Sequence, residues 1–329
     1  MAGKREQTEH LDGRICILPQ LKGINPNVLY EVGLAHIGLI LLINNKEKIV
    51  FSDSLSKGSI EQETKGKSIA VYDIKEFEKY IRNESIMLDF SNCPLNFYLS
   101  LKKIARKIQN CSEMFMKKRM KKRQDEIEKM RKASKIALNA LNELKDKIRG
   151  KTERDLKFKI IEYFAEQKAY EAFPTIIASG KNASFPHHMP SNKKLSKNIL
   201  VDRGCSYMHY CSDLTDVINV ESRAAKEDYE SIKQVFYSIL DDLPNIEKAN
   251  ELHELYIELY KKYRLKEMPH LIGHGIGLQV HEWPIINGKS DHEIIGTTIT
   301  IEPSIYKKNY GLRFERVIYI GKRKARILL

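Results

Sequence analysis

No stretch of this sequence is long and apolar enough to cross a bilayer. The longest apolar run, around Gly38 to Ile43, falls far short of the ~20 residues a membrane helix needs. The opening Met-Ala-Gly-Lys-Arg-Glu-Gln-Thr-Glu-His is too polar for a signal peptide. Cysteine is sparse, and Cys16, Cys93, Cys111, Cys205 and Cys211 form an odd, scattered set without a Cys-x-x-Cys pair. Such a set fits free thiols in a reducing compartment. A cytoplasmic protein with no membrane partner is therefore expected.

A nucleic-acid-binding motif is also missing, although Lys plus Arg exceed Asp plus Glu by 13. An excess of that sign raises nucleic acid or an acidic surface as partners. It is spread along the chain, so nucleic acid is not expected as a partner. Its one concentration is Lys117 to Arg123, basic except at Met120. Behind that run Ile127, Met130, Ala137, Leu141, Leu144 and Ile148 recur every three, four or seven positions. The run thus reads as the solvated beginning of a long helix that ends near Gly150.

A chain of 329 residues is long for one core and comfortable for two domains. Arg14 to Pro19, Gly38 to Ile43, Lys48 to Phe51, Ile69 to Tyr72 and Ile86 to Phe90 read as strands, being rich in Ile, Val and Leu between polar or turn residues. Glu76 to Arg82 and Asn96 to Gln109 read as helices. Together they predict a small α/β domain over residues 1–115, without nameable chemistry, followed by a second domain over 116–329. In the second, Thr152 and Asp155 look like an N-cap and acidic N3. Pro174 to Ser179 reads as a strand and Gly180 to Asn198 as a polar loop. Two helical stretches between Ala224 and Tyr263, broken at Pro244, would cover a sheet. Strands in hairpins with helices on one side make this domain α+β.

The chemistry concentrates around His270 to Glu282, which reads His-Leu-Ile-Gly-His-Gly-Ile-Gly-Leu-Gln-Val-His-Glu. Three imidazoles, His270, His274 and His281, alternate with glycines that let a backbone pass close to a ligand or ion, as in a site built for metal and proton transfer. Carboxylates stand on both sides. Asp202 ends one hydrophobic run and Asp213 opens the next, and an antiparallel pairing would return both to one place. Glu302 ends the β-branched Thr297-Thr298-Ile299-Thr300-Ile301, and Glu315 lies inside the strand-like Gly311 to Val317. Four anions brought together would repel, and two divalent cations would neutralise them.

The set Asp202, Asp213, His274, Glu302 and Glu315, in that order, resembles the ligand pattern of the pita-bread (creatinase/aminopeptidase) metallopeptidases, the family of methionine aminopeptidase, aminopeptidase P and prolidase. The likeness includes the eleven-residue step from Asp202 to Asp213, Gly-His-Gly-Ile-Gly, Val-His-Glu-Trp-Pro, Ile-Glu-Pro and Gly-Leu-Arg-Phe-Glu. It covers roughly the last two hundred residues by motif. The part before it looks like a shortened version of the creatinase-N-like extra domain of the proline-specific members. The resemblance implies a pita-bread catalytic domain behind a small α/β domain. It implies two divalent ions, whether Mn, Co, Zn or Fe, and hydrolysis of the Xaa-Pro bond in dipeptides or at peptide N-termini by a metal-bridging hydroxide. Asp202 would hold one ion, His274 and Glu302 the other, with Asp213 and Glu315 bridging and Glu302 also handling the proton of the attacking water. His281 and His187, the latter in the loop word Phe-Pro-His-His, match residues that stabilise the tetrahedral intermediate or meet the substrate near the leaving nitrogen. His270 matches a further substrate-side histidine. Arg313 would compensate the anions or meet a substrate carboxylate. His188 is given no role, and a homodimer is expected.

Two positions depart from the family pattern. After Ser-Asp-Leu-Thr the family commonly continues Arg-Thr, and here stands Asp216-Val217. After Glu315 it commonly has Asp, and here stands Arg316. Neither removes a ligand, and both change the charge beside the site. Two other readings stay open: a methionine aminopeptidase-like activity, and a non-catalytic binding protein on the same fold.

Overall fold

The computed structural model describes residues 14–45 and 47–329; the polar opening segment, residues 1–10, lies outside the described residues. The chain divides into two compact units, one up to Lys118 and one from Arg119. The first is built on six strands: β1 (Ile15–Gln20), β2 (Leu39–Ile43), β3 (Lys48–Ser52), β4 (Ile69–Asp73), β5 (Ser85–Leu88) and β6 (Lys107–Asn110). They form one mixed sheet in the order β4-β3-β2-β1-β5-β6. The central strands are buried along nearly their whole length, which is why they read as unbroken apolar runs rather than alternating ones.

Helices α1 (Pro26–Val32), α2 (Ser54–Thr64), α3 (Phe77–Ile81) and α4 (Leu95–Leu101) connect them. The first two carry no strong apolar stripe and were not expected; their signals are caps, Asn25 accepting from the Asn27 N–H and Asp53 from those of Leu55 and Ser56. The helix expected to run to Gln109 stops at Leu101, because Lys107–Asn110 pairs in parallel with β5 as an edge strand. Partner-dependent pairing of that kind leaves little local pattern.

The basic run behaves differently from its sequence reading. Helix α5 (Ser112–Met120) ends within it, and the long helix α6 (Gln124–Leu144) starts only after it. Lys117, Lys118, Lys121 and Arg123 are exposed, but Arg119 and Lys122 are buried, so the run is not simply a solvated helix start. Behind α6, Thr152 accepts from the Asp155 N–H while the Asp155 carboxylate takes the Thr152 N–H, opening α7 (Glu153–Glu166) with a capping box.

In the second unit the strands β7 (Tyr170–Glu171), β8 (Ile176–Ser179), β9 (Ile199–Arg203), β10 (Cys205–Tyr207), β11 (Tyr210–Cys211) and β12 (Leu214–Ile218) form two small sheets, β11-β10-β7 and β12-β9-β8. Then come α8 (Arg223–Asp242) and α9 (Ala249–Lys262), parted by a 3-10 turn containing Pro244. The remaining strands are β13 (His274–Gly275), β14 (Glu282–Ile285), β15 (Thr298–Ile301), β16 (Ser304–Lys307), β17 (Tyr310–Arg313), β18 (Arg316–Ile320) and β19 (Ala325–Ile327). They make a sheet of order β14-β13-β15-β18-β19 and the hairpin β16-β17.

Period-two alternation decides which face each strand gives to which helices. Ile199 and Val201 of β9 pack with Ala137 and Leu141 of α6 and Ile160 and Phe164 of α7. Leu200 points the other way, into a cluster with Ile232, Val235 and Phe236 of α8 and Ile299 and Ile301 of β15. Two helix pairs thus brace two groups of strands whose ends converge. Among the described residues no helix is long and apolar enough to cross a membrane.

Candidate metal centre

The β9–β12 pair sets Thr215 opposite Asp202, and an isolated bridge sets Thr215 opposite Glu315. Asp202 therefore sits near the end of β9, and Asp213 just before β12. Glu302 follows β15 directly. Glu315 was expected inside a strand; it stands instead at the break between β17 and β18, where the chain leaves the hairpin for the larger sheet. His274 begins β13, next to β15. Five residues remote in sequence thus meet because two sheets end at one place.

Their side chains face one another. Single ligand atoms of Asp213, His274 and Glu315 all lie within 4.8 Å of each other. His274 Nε2 is 3.7 Å from Asp213 Oδ2 and 3.9 Å from Glu302 Oε1. Asp202 joins through Arg313, whose Nη2 donates to Asp202 Oδ2 while Nη1 and Nε lie 3.9 Å from Glu302 Oε2 and 3.8 Å from Glu315 Oε2. Thr215 Oγ1 donates to Glu315 Oε2 (2.7 Å) and accepts from Arg313 Nε (3.0 Å). Of Arg313's two expected roles, this environment matches compensation of the anions.

One guanidinium does not neutralise four carboxylates. Burial, then the charges of Glu315, Asp202 and Glu302, push the Asp213 carboxyl well above its ordinary value, against the pull of Arg313. Burial and Glu315 do the same to Glu302. Glu315 is raised by burial to about 7, with Arg313 opposing. Burial opposes the charge on Arg313 too, but the anions around it outweigh that and raise its pKa well above the usual value. Burial, then His281, depresses His274 to about 3, so its imidazole is neutral, the form that binds metal. Asp202 Oδ1 is buried without a hydrogen-bond partner, a costly state for a carboxylate oxygen. A donor set of carboxylate oxygens and one neutral imidazole, over-rich in negative charge and with one oxygen unspent, fits divalent cations.

The other expected residues ring this centre. The rings of His281 and His274 are 4.3 Å apart between centroids. His270 Nδ1 is 3.6 Å from Glu302 Oε2, and its pKa is lowered to about 4, chiefly by burial. His187, exposed on its loop, lies close enough for its charge to act on both His270 and His281. His188, given no role from sequence, bonds through Nε2 to Oε2 of the fully buried Glu153 at 2.8 Å. The sequence reading also missed Tyr306, whose hydroxyl lies 3.2 Å from His270 Nε2 and 3.4 Å from Arg313 Nη1. Its position four residues after Glu302 was the available signal. The glycines serve packing more than ligand approach: a Cβ on Gly273 would stand 1.9 Å from the Thr300 carbonyl oxygen.

Comparisons with known proteins agree with this geometry. The sequence model of metallopeptidase family M24 matches residues 128–322. A Xaa-Pro dipeptidase from Pyrococcus horikoshii is 31% identical over 318 residues, covering 92% of this chain and 90% of that protein. One from Pyrococcus furiosus is 30% identical, with 92% and 90% covered. Among solved structures, the prolidase from Pyrococcus horikoshii superposes with a TM-score of 0.85 at 28% identity, covering 96% of this chain and 94% of that one. An X-Pro aminopeptidase from Thermotoga maritima reaches 0.86 at 24% identity, covering 96% and 95%, a likeness of fold.

Proposed function

The chain belongs to metallopeptidase family M24 and has its pita-bread fold, and on that premise we propose that it hydrolyses the Xaa-Pro bond of dipeptides or of peptide N-termini with two divalent ions, Mn, Co, Zn or Fe. The observation that carries the proposal is the gathering of Asp202, Asp213, His274, Glu302 and Glu315 into one buried centre with excess negative charge. The relatives named Xaa-Pro dipeptidase supply the bond specificity.

In this reading Asp202 would hold one ion and His274 and Glu302 the other, with Asp213 and Glu315 as ligands that would serve both. Bound there, the ions supply an activated water at neutral pH and polarise the scissile carbonyl. The protein's groups do the rest. Glu302, beside the imidazole of His274, accepts the proton of the attacking water and delivers it to the leaving prolyl nitrogen, which has no hydrogen of its own before cleavage. His281 and His187 present N–H donors to the oxyanion that develops on the carbonyl carbon's oxygen. His270, held by Tyr306 and Ser304, contacts the substrate from the other side. Arg313 stays against the carboxylates and limits their repulsion between substrate-binding events.

Residues 116–329 carry this chemistry in our reading, and residues 1–115 form a creatinase-N-like extra domain. The five cysteines are free, which suits a cytoplasmic enzyme, and we propose a homodimer, checked by sedimentation equilibrium. The test of function is hydrolysis of Met-Pro after reconstitution with each metal in turn. Failure with all four, both on Met-Pro and on a longer peptide with Pro at the second position, would reject the proposal.

A further inference from the structure

The basic run that the metal centre does not use places two cations deep in the second unit. The Glu282 side chain is 3% exposed, and against it lie Arg119 Nη1 at 3.1 Å and Lys122 Nζ at 3.3 Å, with those side chains 5% and 1% exposed. The Arg119 contact is an ion pair whose geometry falls short of a hydrogen bond, since neither Nη1 nor Nε has a hydrogen-bond partner. Arg119 Nη2 donates instead to Gln279 Oε1 at 3.0 Å. Glu282 Oε1 in turn accepts the Gln279 backbone N–H at 3.0 Å. Lys122 Nζ also donates to the carbonyls of Arg119 (2.6 Å) and Met120 (3.3 Å), and its own N–H donates to Gly296 at 2.9 Å. That last bond fastens the cationic segment to the turn leading into β15.

The segment held in this way is the turn 277–282, and His281 is part of it. A Cβ at Gly277 would come 2.7 Å from Glu282 Oε2 and 2.9 Å from Lys122 Cε, so the turn closes tightly over the carboxylate. The Gly277 N–H bonds to the Gln279 carbonyl at 3.0 Å. With the flanking Gln279 and Glu282 pinned from below, the His281 ring projects on the other side, toward His274. A buried carboxylate facing two buried cations is a poor source of net stability, because desolvation offsets the attraction, but it fixes geometry. A ring displaced by about 1 Å from a reacting centre costs on the order of a hundredfold in rate.

We propose that Arg119, Lys122 and Glu282 form a positioning clamp that holds the turn 277–282 and thereby sets the His281 imidazole for turnover. The clamp touches neither substrate nor metal and acts only through His281, so this rests on the role given to His281 above. The test combines a measurement on the metal-free protein with a kinetic one. In hydrogen exchange, Glu282→Gln and Lys122→Met should each speed the amides of residues 277–281 by about tenfold or more while those of β15 and β18 keep their protection. In kinetics on Met-Pro, Glu282→Gln should lower kcat by about tenfold or more with KM and metal affinity within about twofold. In a His281→Ala background the same substitution should change kcat by less than about twofold, because its target is already gone.

Lys122→Met leaves the carboxylate paired with Arg119, so it serves where Glu282→Gln does not fold. Unchanged exchange at 277–281 in a folded variant overturns the clamp. An equal loss of kcat in both backgrounds, or a parallel loss of metal affinity, shows a general structural role and overturns it as well. A wild-type protein that leaves both Met-Pro and a longer peptide with Pro at the second position intact rejects the assigned function instead, and the exchange result still decides whether the clamp holds the turn.

Discussion

Asp216→Ala should be among the most destabilising single changes in the second unit. The Asp216 carboxylate accepts from Arg203 Nη2 through Oδ2 (2.8 Å) and from Arg316 Nη2 through Oδ1 (2.7 Å). Arg203 is fully buried and also donates to the carbonyls of Ala137, Val201 and Leu214. Arg316 donates to those of Thr215 and Glu315. Removing the carboxylate strands two guanidiniums in a dry interior, a loss of about 3–5 kcal/mol. At about 2–4 °C per kcal/mol for a unit of this size, the melting temperature should fall by roughly 6–20 °C. Adding Arg316→Met should recover part of the loss, since one stranded cation disappears with its partner.

The pH dependence has a fixed sign. Burial alone raises the Asp216 carboxyl, but Arg203 and Arg316 outweigh it and hold it below the ordinary 3.8. A folded-state pKa below the unfolded one contributes stability that is fully present above the unfolded value of ~3.9 and is lost as pH falls through the folded value. Urea unfolding of metal-free wild type and Asp216→Asn should therefore differ fully at pH 7 and 5, and less below about pH 3.9. A loss under about 1 kcal/mol for Asp216→Ala, or a difference between wild type and Asp216→Asn that does not narrow in acid, would refute the reasoning.

Two further outcomes concern the metal centre, and a third concerns the loop that carries His187. Chelation should abolish hydrolysis and leave circular dichroism largely unchanged, and Asp213→Asn should behave alike because, in the proposed centre, it would remove an anionic ligand from both ions; full activity in either sample would count against a metal mechanism. Glu315, raised to about 7 without metal, holds its proton below that pH, whereas His274, depressed to about 3, is already neutral. With the Asp213 and Glu302 carboxyls raised as well, apparent metal affinity should climb as pH rises through 7, with proton release seen by calorimetry in buffers of different ionisation enthalpy; affinity independent of pH would contradict this. Glu153 accepts from Ser179 N, Asn182 Nδ2, Ser191 N and Ser191 Oγ besides bonding His188. Glu153→Ala should cost about 3 kcal/mol or more in urea unfolding by leaving those donors unmet, and should raise KM by loosening the loop of His187; an unchanged KM in a folded variant would separate the loop from substrate binding.

Much of this was legible in the sequence because family words and ligand order are local strings. Asp202, Asp213, His274, Glu302 and Glu315 could each be placed on a strand or strand end by the runs beside them, and the structure brings their side chains to one place. The parts that escaped depend on distant partners. Arg119 and Lys122 looked like any solvated lysine-arginine run, since nothing near them announces that both would be buried against Glu282, 160 positions beyond Lys122. Asp216 and Arg316, the two departures from the family pattern, were weighed singly, and the structure pairs them with each other. Only the far end of the helix expected over Asn96 to Gln109 differs, for the same reason, because an edge strand is defined by its neighbour.

The central claim is a two-ion centre that cleaves before proline, and competition between two dipeptides tests it most directly. Metal-reconstituted protein should be offered Met-Pro and Met-Ala at equal concentration, with kcat/KM read for each by release of the free amino acid. Met-Pro should be hydrolysed at a rate at least about tenfold above that of Met-Ala, a selectivity worth about 1.4 kcal/mol in the transition state. Comparable rates on the two, or no cleavage of either Met-Pro or a longer peptide with Pro at the second position with Mn, Co, Zn or Fe, would contradict that claim.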